Sequence, residues 1–269
     1  MKPAIPAMTL RFLLPLLLAC ATALYAQQEP APTNKPAPPP KDPALAEITD
    51  VPGLPRVLLI GDSISMGYTL PVRAKLQGRA NVHHPPENCG PTERGLTRLD
   101  AWLGDGRWDV IHFNFGLHDL KYLDAAGKYV TPDKGKQVAS LEVYEKNLRQ
   151  IVERLKKTGA KLIFATTTPV PAASQGRVEG DDRRYNEVAL KVMKEESVAV
   201  DNLGSYVHQF QAGLVVNPSF DPVSPNVKAP ARKGDIQLPH NVHFTAEGYD
   251  KLAEQVVVAI AKELPVPQK

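Results

Sequence analysis

The sequence predicts an α/β fold in which a central, mostly parallel sheet is covered by helices on both faces. Short apolar runs alternate with segments of helical periodicity, which is typical of such folds. The first predicted strand, Arg56–Ile60, has four successive apolar residues at 57–60, as in a strand buried on both faces. Polar clusters follow directly after the predicted strands, at the edge where open α/β sheets bind ligands.

The other elements continue this alternation. The clearest helix is Leu141–Lys157, whose apolar residues recur every three or four positions until Gly159 ends it. Pro71 is expected to interrupt the first helix or delay its start. Further strands are predicted at Ala80–His83, Trp108–Phe115, Lys161–Thr167 and Val198–Asp201, and helices at Met66–Leu76, Gly95–Leu103, Arg184–Glu196 and Thr245–Lys262. The long aperiodic segments 122–137, 171–182 and 211–239 are candidate binding loops.

The N-terminal region is predicted to lie outside this fold. A basic start and an apolar run at 12–24 indicate a secretory signal peptide over residues 1–26. Residues 27–43 form a proline-rich linker, which leaves 44–269 as one domain. We therefore expect an exported protein, periplasmic or extracellular. The alternative is a lipoprotein that is anchored to the membrane through Cys20.

Charge and cysteine content exclude several classes of function. The formal charge of +3 falls by two, to +1, when the signal peptide with Lys2 and Arg11 is removed, which predicts no nucleic-acid partner. Only Cys89 then remains, so no intrachain disulfide can form. His240 and His243 have a His-x-x-His spacing but no third ligand at a defined spacing. We expect neither a metal nor another cofactor.

Ser63 is the candidate nucleophile. It follows the strand Arg56–Ile60 and Gly61, and a helix-like segment begins behind it. A serine hydroxyl attacks an ester only when a base accepts its proton and N–H donors stabilise the oxyanion. The start of a helix provides such N–H groups. His243, just before the last predicted helix, is the candidate base.

Four short blocks in this order resemble the SGNH hydrolases, the GDSL-type esterase superfamily. The resemblance covers most of residues 56–261. The blocks are Gly61-Asp62-Ser63-Ile64-Ser65, Asn88-Cys89-Gly90-Pro91-Thr92, Phe113-Asn114-Phe115-Gly116-Leu117-His118-Asp119, and Val242-His243-Phe244-Thr245 with Gly248-Tyr249. The resemblance implies a three-layer α/β/α, flavodoxin-like fold and ester hydrolysis by a serine nucleophile.

The resemblance also implies the roles of the site residues. Ser63 would attack the acyl carbon and His243 would accept its proton. Backbone N–H groups of Ser63 and Gly90 would bind the oxyanion together with one side chain. The family has an asparagine two residues after the glycine of the third block, where this chain has His118. His118 and Asn114 are therefore the two candidates for that donor.

A second departure from the family concerns the group that orients His243. The family usually has an aspartate three residues before the histidine, where this chain has His240. Asn241 is adjacent but neutral. Three alternatives are open. A backbone carbonyl orients His243, a carboxylate from elsewhere such as Asp201 or Asp235 does so, or the site is impaired.

The expected function is hydrolysis of small acyl esters, acetyl first, on carbohydrates or small molecules. The alternatives are a lipase or thioesterase, an acyltransferase that uses the same serine, and a catalytically impaired glycan-binding protein.

Overall fold

The computed structural model describes residues 42–212 and 236–265. Its main sheet has five parallel strands in the order β2-β1-β3-β6-β7. Two short strands, β4 and β5, form a separate antiparallel hairpin. The strands are β1 (Arg56–Ile60), β2 (Asn81–His83), β3 (Val110–Phe113), β4 (Tyr122–Leu123), β5 (Lys136–Gln137), β6 (Lys161–Ala165) and β7 (Ala199–Asp201).

In the part of the chain that the structure describes, six α-helices cover the sheet in two groups. Helices α1, α5 and α6 pack together, as do α2, α3 and α4. Their bounds are α1 (Ser63–Lys75), α2 (Thr92–Leu103), α3 (Leu141–Lys156), α4 (Asp182–Glu195), α5 (Leu203–Gln211) and α6 (Ala246–Glu263). The predicted three-layer α/β/α fold with a parallel central sheet is confirmed.

The first helix differs from the prediction. Helix α1 begins at Ser63, three residues before the predicted start, because the carboxylate of Asp62 accepts the N–H of Ile64 and caps it. The helix also continues through Pro71, which removes only its own N–H from the helical hydrogen bonds. Helix α5 and the β4–β5 hairpin were not predicted.

Strand β1 lies inside the sheet between β2 and β3. The chain adds β2 on one side of β1 and the later strands on the other, so the strand order reverses at β1. Such a switch point is where α/β sheets bind ligands. Residues 57–60 are at most 1% exposed, which fixes the position of the turn that follows.

Parts of the domain prediction lie outside the described residues, namely the signal peptide and all but the last two residues of the linker. They stay predictions. No helix in the described ranges is long and apolar enough to cross a membrane.

Candidate active site

Ser63 is the first residue of helix α1, directly beyond the end of β1. Its N–H is among the first four of the helix, which have no intrahelical acceptor. A Cβ at Gly61 would lie 2.8 Å from the side chain of Ser65. Only glycine therefore fits at this turn, which brings Ser63 to the sheet edge in a partly exposed position.

His243 contacts the hydroxyl of Ser63. The distance from Ser63 Oγ to His243 Nε2 is 2.8 Å, although the two residues are 180 positions apart in sequence. His243 lies on the connection before α6, whose first turn is capped by the Thr245 hydroxyl. The structure thus brings together the two residues on which the sequence prediction of catalysis depends.

Asn241 holds the other side of the imidazole. Its Oδ1 lies 2.7 Å from His243 Nδ1 and also accepts the backbone N–H of His243 at 3.1 Å. Because an amide oxygen only accepts hydrogen bonds, Nδ1 carries the proton and Nε2 is free to accept from Ser63. Sequence reasoning noted Asn241 only as a neutral neighbour. The available signal was that asparagine side chains often bond to backbone two residues further on.

The two described residues that were predicted as candidates to orient His243, His240 and Asp201, have other partners, although His240 lines the same cavity as His243. His240, at a φ of 55°, directs Nδ1 to the carbonyl of Ala172 at 3.0 Å. Asp201 is 1% exposed, and its two carboxylate oxygens contact His112 Nε2 at 3.0 Å and Gln255 Nε2 at 2.9 Å. Neither contacts His243, because a nearer partner occupies each side chain. Asp235 lies outside the described residues.

The two side-chain candidates for the oxyanion site occupy different places. Asn114 donates from Nδ2 to the carbonyl of Ala165 at 2.7 Å and lines a small separate cavity behind the site. His118 instead lines the same cavity as Ser63 and His243. Gly90, with a φ of +64°, donates its N–H to Asn88 Oδ1 at 3.0 Å. Asn88 also lines that cavity.

Lys121 defines the hydrogen-bonding state of His118. Its ammonium lies 3.2 Å from His118 Nδ1. An ammonium only donates, so Nδ1 is the acceptor and Nε2 carries the proton of the neutral ring. Burial, with the charges of Lys121 and Arg177, lowers the pKa of His118 to about 4, although Asp62 opposes the shift. At neutral pH His118 therefore presents one N–H donor.

The site opens into a cavity of about 410 Å³, within the range of small-ligand pockets. Two of the candidate binding loops line it, through Tyr129 from the hairpin region and through Ser174, Gln175 and Arg177 after β6. Burial lowers the pKa of His243, and the Arg177 charge adds to this, while Asp62 raises it. The imidazole is consequently neutral, and able to accept a proton, at neutral pH.

The arrangement matches a known family. Residues 59–251 match the model of the family described as "GDSL-like Lipase/Acylhydrolase family". The chain belongs to this family. The predicted family is thereby confirmed, and the chain is a carboxylic ester hydrolase by membership. No curated protein sequence matches the chain.

Several solved structures share the fold of this chain. A lipase/acylhydrolase from Enterococcus faecalis has 18% identity and a TM-score of 0.57, over 80% of this chain and 100% of that chain. A variant of an acetyl xylan esterase from Geobacillus stearothermophilus has 15% identity and a TM-score of 0.56, over 80% and 97%. A second acetyl xylan esterase has 15% identity and a TM-score of 0.56, over 75% and 97%. At such identities the likeness concerns the fold alone.

No group of three or more His, Cys, Asp or Glu residues in 42–212 and 236–265 has a geometry that could hold a metal ion.

Proposed function

We propose that this GDSL-like hydrolase is an exported serine esterase that removes small acyl groups, acetyl first, from carbohydrates. The observation that carries the catalytic part is the 2.8 Å hydrogen bond between Ser63 Oγ and His243 Nε2. It joins a hydroxyl and a neutral base inside a cavity that is open to substrate, as nucleophilic catalysis requires.

The reaction proceeds in two halves. His243 Nε2 accepts the Ser63 proton as Oγ attacks the acyl carbon, and it then protonates the leaving alcohol. Water attacks the acyl-serine in the second half, again with His243 as the base. Asn241 Oδ1 accepts the Nδ1–H throughout, which stabilises the imidazolium that forms in each half.

The oxyanion is bound by the N–H groups of Ser63 and Gly90 and by His118 Nε2–H. The hydrogen bond from Lys121 to His118 Nδ1 supports this role, because it leaves the proton on the nitrogen that can donate to substrate. The Gly90 N–H must exchange its bond to Asn88 for the oxyanion. Each such donor typically contributes about 3 kcal/mol to the transition state.

Two observations support the choice of acetylated carbohydrate. The cavity is small and is lined mainly by polar side chains, which favours a short acyl group on a polar alcohol over a long alkyl chain. Two structural neighbours bear the name acetyl xylan esterase, which makes acetylated xylan a reasonable first polymer to test.

The test is hydrolysis of p-nitrophenyl acetate by residues 27–269 as wild type, Ser63→Ala and Ser65→Ala. We expect turnover that Ser63→Ala loses and Ser65→Ala keeps. Turnover equal in wild type and Ser63→Ala contradicts the proposal. No turnover by any variant favours an impaired glycan-binding protein or a transferase that lacks its acceptor. The rates of hydrolysis of acetylated xylan and of long-chain esters are then compared, which distinguishes a carbohydrate esterase from a lipase.

Export is tested separately, because the structure does not describe residues 1–41. We expect a tagged full-length chain in the periplasm or medium and a chain without residues 1–26 in the cytoplasm. Membrane retention that Cys20→Ala abolishes would favour the lipoprotein alternative.

A further inference from the structure

One wall of the active-site cavity carries a guanidinium group that has no carboxylate partner among the described residues. Arg177 is partly buried and lines the cavity. Its Nε donates to the carbonyl of Leu117 at 3.1 Å, and one Nη donates to the carbonyl of Gln175 at 3.3 Å. In 42–212 and 236–265 no carboxylate forms an ion pair with it. Since arginine has five N–H donors, these two contacts leave donors for a ligand.

A second cation lies at the same aromatic ring. The Arg177 guanidinium carbon is 5.7 Å from the centroid of the Tyr129 ring, and Lys121 Nζ is 5.3 Å from it. Lys121 also forms no ion pair with a carboxylate in the part of the chain that the structure describes. Two cations held by one ring repel each other, and a bound anion would relieve that repulsion.

Asp62 is the one carboxylate among the described residues that line the cavity, and its charge acts on Arg177 although the two form no ion pair. Asp62 accepts the N–H of Ile64 as the cap of α1 and is 3% exposed. Its negative charge is stabilised by the positive end of that helix. The charge of Arg177 lowers the pKa of His243 and of His118, against a larger opposing effect of Asp62. Because Arg177 lines the same cavity as Ser63 and His243, it can contact a substrate whose ester is at Ser63.

We propose that Arg177, supported by Tyr129 and Lys121, is a binding site for a carboxylate of the substrate, and that the enzyme prefers carboxylate-bearing esters. A guanidinium binds a carboxylate through two parallel hydrogen bonds. The carboxylate belongs either to the sugar, as in an acetylated uronate, or to the acyl group, as in a half-ester of a dicarboxylic acid. This inference rests on the proposed esterase function and specifies its substrate class.

The experiment compares matched substrates that differ in the carboxylate. One pair is acetylated polygalacturonate against acetylated xylan without uronate side groups, and the other is monoethyl succinate against ethyl butyrate. The readout is the ratio of kcat/KM within each pair, which cancels any general loss of activity. The enzymes are wild type, Arg177→Gln, Arg177→Lys and Lys146→Gln. Lys146 is an exposed cation on α3, so Lys146→Gln removes the same charge away from the cavity.

We expect wild type to prefer the anionic member of one pair by about tenfold to a hundredfold, the usual contribution of charged hydrogen bonds. The pair that shows the preference identifies whether the carboxylate is on the sugar or on the acyl group. Arg177→Gln should abolish the preference, Arg177→Lys should retain part of it, and Lys146→Gln should retain all of it. Circular dichroism melts establish that each variant is folded.

Failure of this inference differs from failure of the esterase function. If wild type hydrolyses p-nitrophenyl acetate through Ser63 but shows no preference in either pair, or if Arg177→Gln keeps the preference, the carboxylate site is wrong and the esterase stands. If no ester is hydrolysed, binding of polygalacturonate and of xylan is measured by calorimetry. Selective binding of polygalacturonate that Arg177→Gln loses supports the site, and equal binding overturns it.

Discussion

Helix α1 carries two serines, each hydrogen-bonded to a histidine, and only one pair faces the cavity. Ser63 Oγ lies 2.8 Å from His243 Nε2, and Ser65 Oγ lies 2.7 Å from His84 Nε2. Both imidazoles direct Nδ1 to an oxygen acceptor at 2.7 Å, Asn241 Oδ1 for His243 and the carbonyl of Pro85 for His84. The two pairs share these distances, but Ser65 Oγ also donates to the carbonyl of Asp62 at 2.9 Å.

Their surroundings differ. Ser65 and His84 are 2% and 7% exposed, so no ester can reach them, whereas Ser63 and His243 line the cavity. Burial lowers the pKa of His84 to about 4, which makes it a weak base. A serine–histidine contact is therefore insufficient evidence for a nucleophile. Access and the basicity of the imidazole distinguish the two pairs.

The largest expected effect separates the two serines. Ser63→Ala should reduce kcat/KM for p-nitrophenyl acetate about ten-thousandfold, because no nucleophile remains. Ser65→Ala also removes a serine hydroxyl, two residues further along the chain, and this variant should keep most of the turnover. Comparable losses in both variants, with both proteins folded, would contradict the distinction between the pairs.

The bases should differ almost as strongly. His243→Ala should reduce kcat about a thousandfold, because the Ser63 proton then has no acceptor. His240→Ala should have a much smaller effect, since that side chain contacts the Ala172 carbonyl. Steady-state kinetics of the two variants provide the measurement. Equal and complete losses would place His240 in the catalytic machinery.

A third comparison concerns the side chain that donates to the oxyanion. His118→Ala should lower kcat about a hundredfold with little change in KM, because the lost hydrogen bond acts in the transition state. Asn114→Ala is the control, and its effect on kcat should be smaller than that of His118→Ala. A larger loss of kcat in Asn114→Ala would reassign the donor.

Substitution of Asn241 is expected to have a moderate effect on kcat. Asn241→Ala should lower kcat about tenfold, because one neutral hydrogen bond then no longer fixes the His243 tautomer. Asn241→Asp should restore activity and raise the pKa of His243, since a carboxylate favours the imidazolium. The acid limb of the kcat/KM profile would then move to higher pH. An unchanged limb would show that Asn241 does not orient His243.

The smallest effect on turnover is expected at His84, whose role is structural. Its pKa in the folded protein, about 4, lies below the ordinary value of about 6.5. As the pH falls, His84 is therefore protonated in the unfolded chain before it is protonated in the folded protein. This lowers the free energy of unfolding by up to roughly 3 kcal/mol between pH 6.5 and 4. Thermal melts across this range should show a shallower loss of stability in His84→Gln. Parallel curves for wild type and variant would contradict this.

The sequence was sufficient for the sheet, for a physical reason. Apolar runs locate the strands, and parallel strands have their carboxyl ends at one edge, so the polar clusters that follow them were expected together. The oxyanion roles of Gly90 and His118 came from the resemblance to a known family, which also supported the pairing of Ser63 with His243. Neither residue pattern nor spacing alone determines a contact across 180 positions.

The sequence was insufficient for side-chain partners. The family pattern directed attention to the third position before His243, but His240 has a positive φ and its side chain contacts Ala172. Asn241 instead contacts its own second neighbour. Asp201 was a candidate carboxylate for orienting His243, yet its side chain contacts His112 of strand β3. Such choices depend on which partner is nearest in space, which periodicity does not encode.

The most direct test of the account is to find which serine reacts with diethyl p-nitrophenyl phosphate. Its phosphorus is attacked by an activated serine Oγ, p-nitrophenolate leaves, and the hydroxyl proton passes to the histidine. Fragment mass spectrometry of the peptide that contains both serines locates the diethylphosphoryl group. We predict that Ser63 is labelled stoichiometrically and that esterase activity is lost with it. The labelling should be retained in Ser65→Ala and absent in Ser63→Ala. Labelling of Ser65, or inactivation with neither serine modified, would contradict the assignment of Ser63 as the nucleophile.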